Sequence, residues 1–230
     1  MTELTERGKQ IRRDTLKLGG SGICHDSFSI IEILIALYDH VIDENDTVLI
    51  SKGHCSIPQT VIISERTGDG IFSSGGFGCD MTTSTALALT LKTQSIPGRV
   101  YVIVDDSEVK EGAFWESLLL AGRSKLDNLT VIVTSNLPED SDCADDTLPI
   151  SDIAISKIAM YANWASIIID GHHIDTVRNT LDWTLTLSVP SLIIANTVKG
   201  RGVSFMENRP EWREKFPPPD EIEQAYGELQ

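Results

Sequence analysis

Two acidic residues end an apolar stretch of this sequence at a place where a metal ion could bind. The run Val100–Val104 (VYVIV) can form a buried strand, and Asp105 and Asp106 follow it directly. Two adjacent like charges disfavour each other unless something neutralises them. Asn136 follows the next apolar run, Leu129–Thr134. If the two strands are neighbours in a parallel sheet, Asp106 and Asn136 lie side by side at the edge where ligands bind.

A carboxylate and an amide oxygen at this edge are hard ligands suited to a Mg²⁺ or Ca²⁺ ion that bridges a diphosphate. The alternative interpretation is that Asp106 caps the next helix and Asn136 starts a turn. For either residue considered alone, this alternative would be favoured. The matching positions of both residues favour the metal site.

A glycine-rich segment, SSGGFG over 73–78, directly precedes an expected helix. Its backbone N–H groups could point at an anion near the helix N-terminus. The alternative is a flexible turn whose glycines adopt positive φ. The sequence therefore offers a phosphate-binding loop in addition to a metal site.

Apolar runs alternate with amphipathic segments, which predicts an α/β fold with a parallel sheet flanked by helices. The expected strands are Thr47–Ile50, Val100–Val104, Leu129–Thr134, Ser166–Ile169 and Ser191–Ala195. The expected helices are Leu4–Leu18, Ser29–Val41, Thr82–Leu91, Ala113–Lys125, Ile153–Tyr161 and Ile174–Leu187. The stretch after Ile50, including Ser64–Gly78, has no sustained period and is expected to be a long loop. The tail is expected to form a proline-punctuated loop and a short helix.

Composition narrows the class of protein. A chain of 230 residues with 41% hydrophobic content can bury one α/β core. The formal net charge of −15 repels the phosphate backbone, so nucleic acid is not an expected partner. The cysteines contain no CxxC pair, which indicates neither a zinc site nor a disulfide scaffold. No apolar run is long enough to span a membrane, and we expect a cytoplasmic protein with no membrane partner.

The order of these segments resembles the thiamine-diphosphate-binding half of transketolases, above all the N-terminal chains of split, two-subunit transketolases. The resemblance covers most of the chain and implies the thiamine diphosphate-binding fold. It implies a single domain over 1–230, with about 205–230 as a C-terminal loop and short helix. The matching segments are IRRDTLKLGGSGICH, FSIIEILIALYDHV, LISKGH, GGFG, VDDSEVKEGAFWESLLLAGRSKLDNLTVIVTSN, DGHHI and NTVKGRGVSFMEN.

This resemblance implies roles for individual residues. His25, His54 and Glu111 correspond to catalytic residues, the two histidines as hydrogen-bond donors or proton shuttles beside the thiazolium carbon and the donor's hydroxyl groups. Glu111 and Glu116 resemble acids that family members place between two cofactor sites. The metal ligands implied for Mg²⁺ or Ca²⁺ are Asp106, Asn136 and the backbone carbonyl of Pro138. The implied contacts with thiamine diphosphate are Gly76, Phe77, Gly78, Asp106, Ser107, Glu108 and Asn136.

The sequence departs from the family at several of these places. Asp105 and Ser107 stand where the family has glycines, which adds side chains and a negative charge where the backbone approaches phosphate. Cys24 stands where glycine is usual. Arg213 stands where relatives carry a substrate-side histidine. Since arginine stays protonated and can bind a carboxylate or phosphate with two parallel hydrogen bonds, we expect an anionic group on the donor or acceptor.

The resemblance also implies an enzyme of two kinds of chain. Thiamine diphosphate reacts only when a glutamate of a second domain protonates its aminopyrimidine ring. A transketolase C-terminal-like subunit is the expected partner, in an α₂β₂ assembly. The expected activity is transfer of a two-carbon ketol unit from a ketose-like donor to a sugar aldehyde or carrier-bound acyl group. The alternatives are a degenerate subunit that stabilises or regulates the second chain, and an unrelated α/β protein holding a magnesium-nucleotide.

Overall fold

A five-stranded parallel sheet forms the centre of the molecule. The computed structural model describes residues 5–19, 24–51, 56–67, 80–136, 150–212 and 215–230. The strands stand in the order β1-β2-β3-β5-β4, so β5 lies between β3 and β4. Their bounds are β1 Thr47–Ile50, β2 Val100–Asp105, β3 Leu129–Ser135, β4 Ala165–Asp170 and β5 Ser191–Asn196.

Nine α-helices are assigned within the described residues, and they cover both faces of the sheet. They are α1 Glu6–Gly19, α2 Cys24–Ser27, α3 Ile31–Ala36, α4 Ser56–Thr67, α5 Asp80–Thr93, α6 Gly112–Arg123, α7 Asp152–Tyr161, α8 Ile174–Thr184 and α9 Pro219–Glu228. A π-helical turn, Leu37–Val41, continues α3, and short 3₁₀ turns occupy Glu108–Lys110 and Pro210–Trp212.

Burial explains why the central strands read as continuous apolar runs. Every residue of β2 and β3 is buried, because helices cover both faces of a parallel sheet. One core cluster joins one face of the sheet to α5, α6 and α7. The other cluster joins the opposite face to α1, α3, α4, α8 and α9. The carboxyl ends of the strands therefore lie between two helical layers.

The α/β fold with a parallel sheet is confirmed, and all five expected strands are present within one residue at each end. The expectation of a continuous loop after Ile50 is wrong over Ser56–Thr67, which forms α4. Pro58 lies in the first turn of this helix, where its missing N–H is tolerated. Val61 and Ile62 then face the core. Within the described residues, no helix is both long and apolar enough to cross a membrane.

Candidate active site

The ends of β2 and β3 bring Asp106 and Asn136 together. The strands pair in parallel with Asp105 opposite Thr134, so Asp106 after β2 and Asn136 after β3 leave the sheet at the same edge. The backbone N–H of Asn136 donates to Oδ2 of Asp106 at 3.2 Å. The hydroxyl of Thr197, just after β5, donates to Oδ1 of Asn136 at 2.9 Å. Three neighbouring strand ends thus fix a carboxylate and an amide in adjacent positions.

Asp105 has a different set of partners. Its Oδ1 accepts hydrogen bonds from the backbone N–H and the hydroxyl of Ser107, at 3.0 and 2.7 Å. Its Oδ2 lies 3.4 Å from Nζ of Lys199. Its own backbone N–H donates to Oε1 of Glu108 at 3.2 Å. Ser107 and Glu108, expected as cofactor contacts, therefore have side chains bonded to Asp105 and shape the turn that follows β2.

The electrostatics of the two acids differ from those of exposed carboxylates. Burial, together with a hydrogen bond to Asp105 and the charge of that neighbour, raises the pKa of Asp106 to about 6. Lys199 and the backbone N–H of Asn136 act in the opposite direction and favour the ionised form. A cation beside Asp106 would act in the same sense as Lys199.

Lys199 and Asp26 belong to the same cluster as Asp105 and Asp106, and the sequence reasoning missed both. Nζ of Lys199 lies 3.7 Å from Oδ1 of Asp26, and the lysine is only 7% exposed. The same Oδ1 lies 3.1 Å from Nδ1 of His25. One signal was available for Lys199, because NTVKG follows an expected strand and its side chains fall at the ligand-binding edge of the sheet. Nothing in the sequence around Asp26 indicated that it would lie beside Lys199, which is far away in the chain.

His25 lies at this edge as expected. It is 3% exposed, and its backbone carbonyl accepts a hydrogen bond from the N–H of Gly200 at 2.8 Å. Its Nδ1 faces Asp26, while its Nε2 is buried and has no hydrogen-bond partner within the described part of the chain. A buried ring nitrogen without a partner is costly, so a ligand atom that bonds to it would be stabilised there.

A small cavity lies among these strand ends. The cavity has a volume of about 10 Å³, which is room for roughly one water molecule. Asp26 and Asp105 contribute its charged groups. The remaining lining residues are Ser29, Ile30, Ile50, Ile103, Val104 and Thr134.

Of the remaining expected site residues, only Glu111 and Glu116 lie within the described part of the chain. Glu111 is exposed and occupies the N-cap position of α6, and Glu116 is exposed on the same helix. His54, Gly76, Phe77, Gly78, Pro138 and Arg213 lie outside the described residues. Over the described ranges, no group of three or more His, Cys, Asp or Glu side chains is placed to hold a metal ion. Of the three expected metal ligands, only Asp106 and Asn136 lie within the described residues.

A carboxylate and an amide at adjacent ends of a doubly covered parallel sheet place this chain among α/β proteins that bind ligands at the strand ends. Residues 50–214 match the family described as transketolase, thiamine diphosphate binding domain. Because this match spans most of the sequence, the chain belongs to that family.

Individual relatives agree with this assignment. The chain is 30% identical over 272 aligned residues to one subunit of the apulose-4-phosphate transketolase of Actinobacillus succinogenes, covering 99% of this chain and 96% of that protein. It is 26% identical to the SqwG subunit of the 6-deoxy-6-sulfo-D-fructose transketolase of Clostridium sp. (strain MSTE9), with 90% and 89% covered. Transketolase from Campylobacter jejuni shares the fold with a TM-score of 0.82 at 18% identity, over 97% of this chain and 42% of that chain. The chain thus spans less than half the length of that solved transketolase.

Proposed function

We propose that this chain is the diphosphate- and metal-binding subunit of a two-chain transketolase, cytoplasmic and organised as a single domain over 1–230. It would transfer a two-carbon ketol unit from a ketose-like donor to a sugar aldehyde or a carrier-bound acyl group. The observation that carries the proposal is the adjacency of Asp106 and Asn136 at the ends of β2 and β3. Family membership and the relatives named as transketolase subunits support the same reaction class.

The metal site consists of the Asp106 carboxylate, the Asn136 amide oxygen and the Pro138 carbonyl, holding Mg²⁺ or Ca²⁺. The chemistry of this donor set supports it, since all three groups supply hard oxygen atoms. Thr197 holds the Asn136 side chain through Oδ1. Such orientation by a neighbour keeps a ligand in place.

Thiamine diphosphate, when bound, supplies the electron sink for cleaving the donor's carbon–carbon bond. The fit is supported by a buried and unpartnered ring nitrogen, His25 Nε2, within the described cluster. This chain's residues bind and orient the cofactor: residues 76–78 and the turn from Asp106 to Glu108 hold the diphosphate end. The charge that Asp105 adds to this turn is paired with Lys199.

Proton handling falls to His25, His54 and Glu111. Asp26 orients His25 through Nδ1, which leaves Nε2 to bond to a donor hydroxyl. We propose that Glu111 contacts the second subunit, and its exposure at the start of α6 supports this role. We further propose that Arg213 binds an anionic group of the substrate. The names of two relatives, which contain a phosphate and a sulfo group, support an anionic substrate.

The second subunit is a transketolase C-terminal-like chain, and we propose an α₂β₂ assembly. Two relatives that this chain covers almost completely are each named as one subunit of a transketolase, which supports a partner chain. Nucleic acid and membranes are not proposed as partners, in keeping with the net charge of −15 and the sequence pattern.

A degenerate, non-catalytic partner subunit is the second candidate. The observation that favours it is the Asp105 side chain, which adds a charge inside the turn where the family has glycine and bonds to Ser107 there. The two candidates differ in whether the assembled protein binds thiamine diphosphate.

Titration calorimetry with thiamine diphosphate and Mg²⁺ on the chain co-purified with its partner tests the proposal. We expect metal-dependent binding by the wild type, none by Asp106→Ala, and weakened binding by Asn136→Ala, because no nearby neutral group replaces a charged oxygen ligand. Asp182→Ala, on the exposed surface of α8, is the matched control and should bind like the wild type. Full affinity in Asp106→Ala would overturn the metal assignment. An intact wild-type heteromer that does not bind the cofactor would favour the degenerate subunit.

A further inference from the structure

A buried row of polar side chains runs from α1 to the end of β4. Arg12 is fully buried and donates to both carboxylate oxygens of Glu32, at 2.7 and 3.1 Å. Nδ1 of His172 lies 3.0 Å from Oε2 of the same carboxylate. These three side chains join α1, α3 and the turn after β4, and none of them belongs to the site proposed above.

The hydrogen-bond partners of His172 fix which ring nitrogen carries the proton. The backbone N–H of Val198 donates to Nε2 of His172 at 2.7 Å, so Nε2 must present a lone pair. Nδ1 then holds the proton and donates it to Glu32. The ring is therefore a rigid link between a buried carboxylate and the backbone after β5.

The backbone on either side of Lys199 is held at four successive points. Besides Val198, the carbonyl of Lys199 accepts from the N–H of Asn208 at 3.0 Å, and the N–H of Gly200 donates to His25 at 2.8 Å. The carbonyl of Arg201 accepts from Nε of Arg12 at 2.6 Å. The buried polar row therefore contacts this segment at both ends: His172 bonds to Val198, and Arg12 bonds to Arg201.

Glycine at position 200 is required by the same arrangement. Its φ is +73°, and an added Cβ would lie 2.5 Å from the carbonyl oxygen of Met206. The segment consequently has little freedom to relax around a changed contact. A displacement of Val198 would move the Lys199 side chain away from Asp105 and Asp26, which it meets at 3.4 and 3.7 Å.

We infer that His172, oriented by Glu32 and Arg12, is a positioning residue for the candidate active site: through Val198 it fixes the segment that places Lys199 between Asp105 and Asp26. Only the consequence for cofactor affinity rests on the proposed function. The placement of Lys199 is a property of the chain itself and can be measured without any cofactor.

Three variants separate positioning from general stability. His172→Gln supplies an amide oxygen near the position of Nε2 and retains an acceptor for Val198. His172→Asn supplies an amide N–H near the position of Nδ1, retains the bond to Glu32 and loses the acceptor. His173→Gln changes the adjacent, exposed histidine, whose Nδ1 caps α8 by accepting from the N–H of Thr176 at 3.2 Å. It is the matched control.

The first measurements are amide hydrogen exchange at Val198 and acylation of Lys199, read by mass spectrometry against exposed Lys157 as internal standard. We expect His172→Asn to speed exchange at Val198 about tenfold, the effect of losing one buried hydrogen bond, and to increase acylation of Lys199. His172→Gln and His173→Gln should stay near the wild type in both. In the wild type, ¹⁵N spectra of the His172 ring should show a protonated Nδ1 and a bare Nε2.

Unchanged exchange and acylation in His172→Asn would overturn the inference, as would equal effects in the Gln and Asn variants. The second measurement is affinity for thiamine diphosphate with Mg²⁺ in the assembled protein, where we expect about a tenfold loss for His172→Asn only. If the wild type does not bind the cofactor, the proposed function fails, while the exchange and acylation results still decide the role of His172.

Discussion

Asp105 and Asp106 are neighbours in the chain, yet they face different partners. Asp105 bonds to Ser107 and lies beside Lys199, whereas Asp106 receives the backbone N–H of Asn136. Asp105 is the counter-charge of a lysine, whereas Asp106, which also has a hydrogen bond to Asp105, is the carboxylate that we propose as a metal ligand.

Glu32 gives a residue-scale prediction about pH. Burial alone raises its pKa, but the Arg12 guanidinium and the His172 ring together lower the pKa of Glu32 to about 2. The unfolded value is near 4.5, so the ionised group contributes roughly 3 kcal/mol of stability that is fully present above pH 4.5. This contribution should disappear as the pH falls from about 4.5 to about 2.

Urea unfolding of the wild type and of Glu32→Gln at a series of pH values measures this contribution. At neutral pH we expect the variant to lose about 3 to 5 kcal/mol, because the buried charge of Arg12 is left without its carboxylate. Below pH 4.5 the difference between the two proteins should shrink. A constant difference down to pH 2.5 would contradict the prediction.

The sequence predicted only part of the site, for a physical reason. Asp106 and Asn136 could be predicted because each follows an apolar strand, and neighbouring parallel strands end at the same edge of the sheet. Lys199 also follows a strand, but its partners Asp105 and Asp26 lie far away in the chain. The contact of His172 with Glu32 joins two different layers of the fold, and no local pattern encodes such a contact.

At the scale of elements, α6 and α7 meet through a close backbone contact. A Cβ on Gly122 would lie 1.8 Å from the carbonyl oxygen of Ala162, so only glycine fits there. The side chain of Asn163 donates to the Gly122 carbonyl at 3.2 Å, and the indole N–H of Trp164 donates to the Leu118 carbonyl at 2.8 Å. The end of α6 is thus fixed to the start of β4.

Gly122→Ala tests this contact. We expect a loss of about 2 kcal/mol in the free energy of unfolding, because the methyl group must displace backbone rather than a flexible side chain. Gly112→Ala lies on the same helix with nothing within 4 Å of the added Cβ, so it should be neutral or slightly stabilising. Thermal unfolding of both variants decides the matter. Equal melting temperatures of the two variants would contradict the prediction, because α6 and α7 could then move apart without loss of stability.

The five strands and most of the longer helices were predicted, whereas α4 and the π-helical turn were not. The strand β2 is apolar from Val100 to Val104 because both its faces are covered, which makes it easy to recognise. Helix α4 contains Pro58 and several polar residues, so its apolar stripe is short. The π-helical turn Leu37–Val41 has a residue composition that an α-helix could also have. Only its backbone hydrogen bonds distinguish it.

For the whole molecule, the two helical layers differ in the apolar surface that they expose. The outer sides of α6 and α7 carry several large apolar side chains in contact with solvent, of which Tyr161 is 93% exposed. The others are Leu119, Leu120, Ile153, Ile158 and Met160. Both helices cover the same face of the sheet. A group of exposed apolar residues of this kind is typical of a surface that binds another protein.

The double variant Leu119→Lys, Met160→Lys tests whether this layer meets the second subunit. We expect reduced recovery of the heteromer on co-expression, with the melting temperature of the isolated chain little changed, since both side chains are exposed. Leu185→Lys changes an exposed apolar residue at the end of α8, on the other layer, and should leave assembly intact. Normal heteromer formation by the double variant, seen by size-exclusion chromatography, would show that this surface is not the interface with the second subunit.

The strand order has a consequence for how the protein is made. A ribosome releases β4 before β5, yet β5 is the strand with which β4 pairs, and β5 also completes the pairing of β3. A nascent chain that has emerged through β4 therefore carries an unpaired apolar strand, which is open to aggregation or chaperone binding. Lys199 comes three residues after the end of β5. The pairing of β4 and the placement of Lys199 beside Asp105 therefore both wait until β5 has been synthesised.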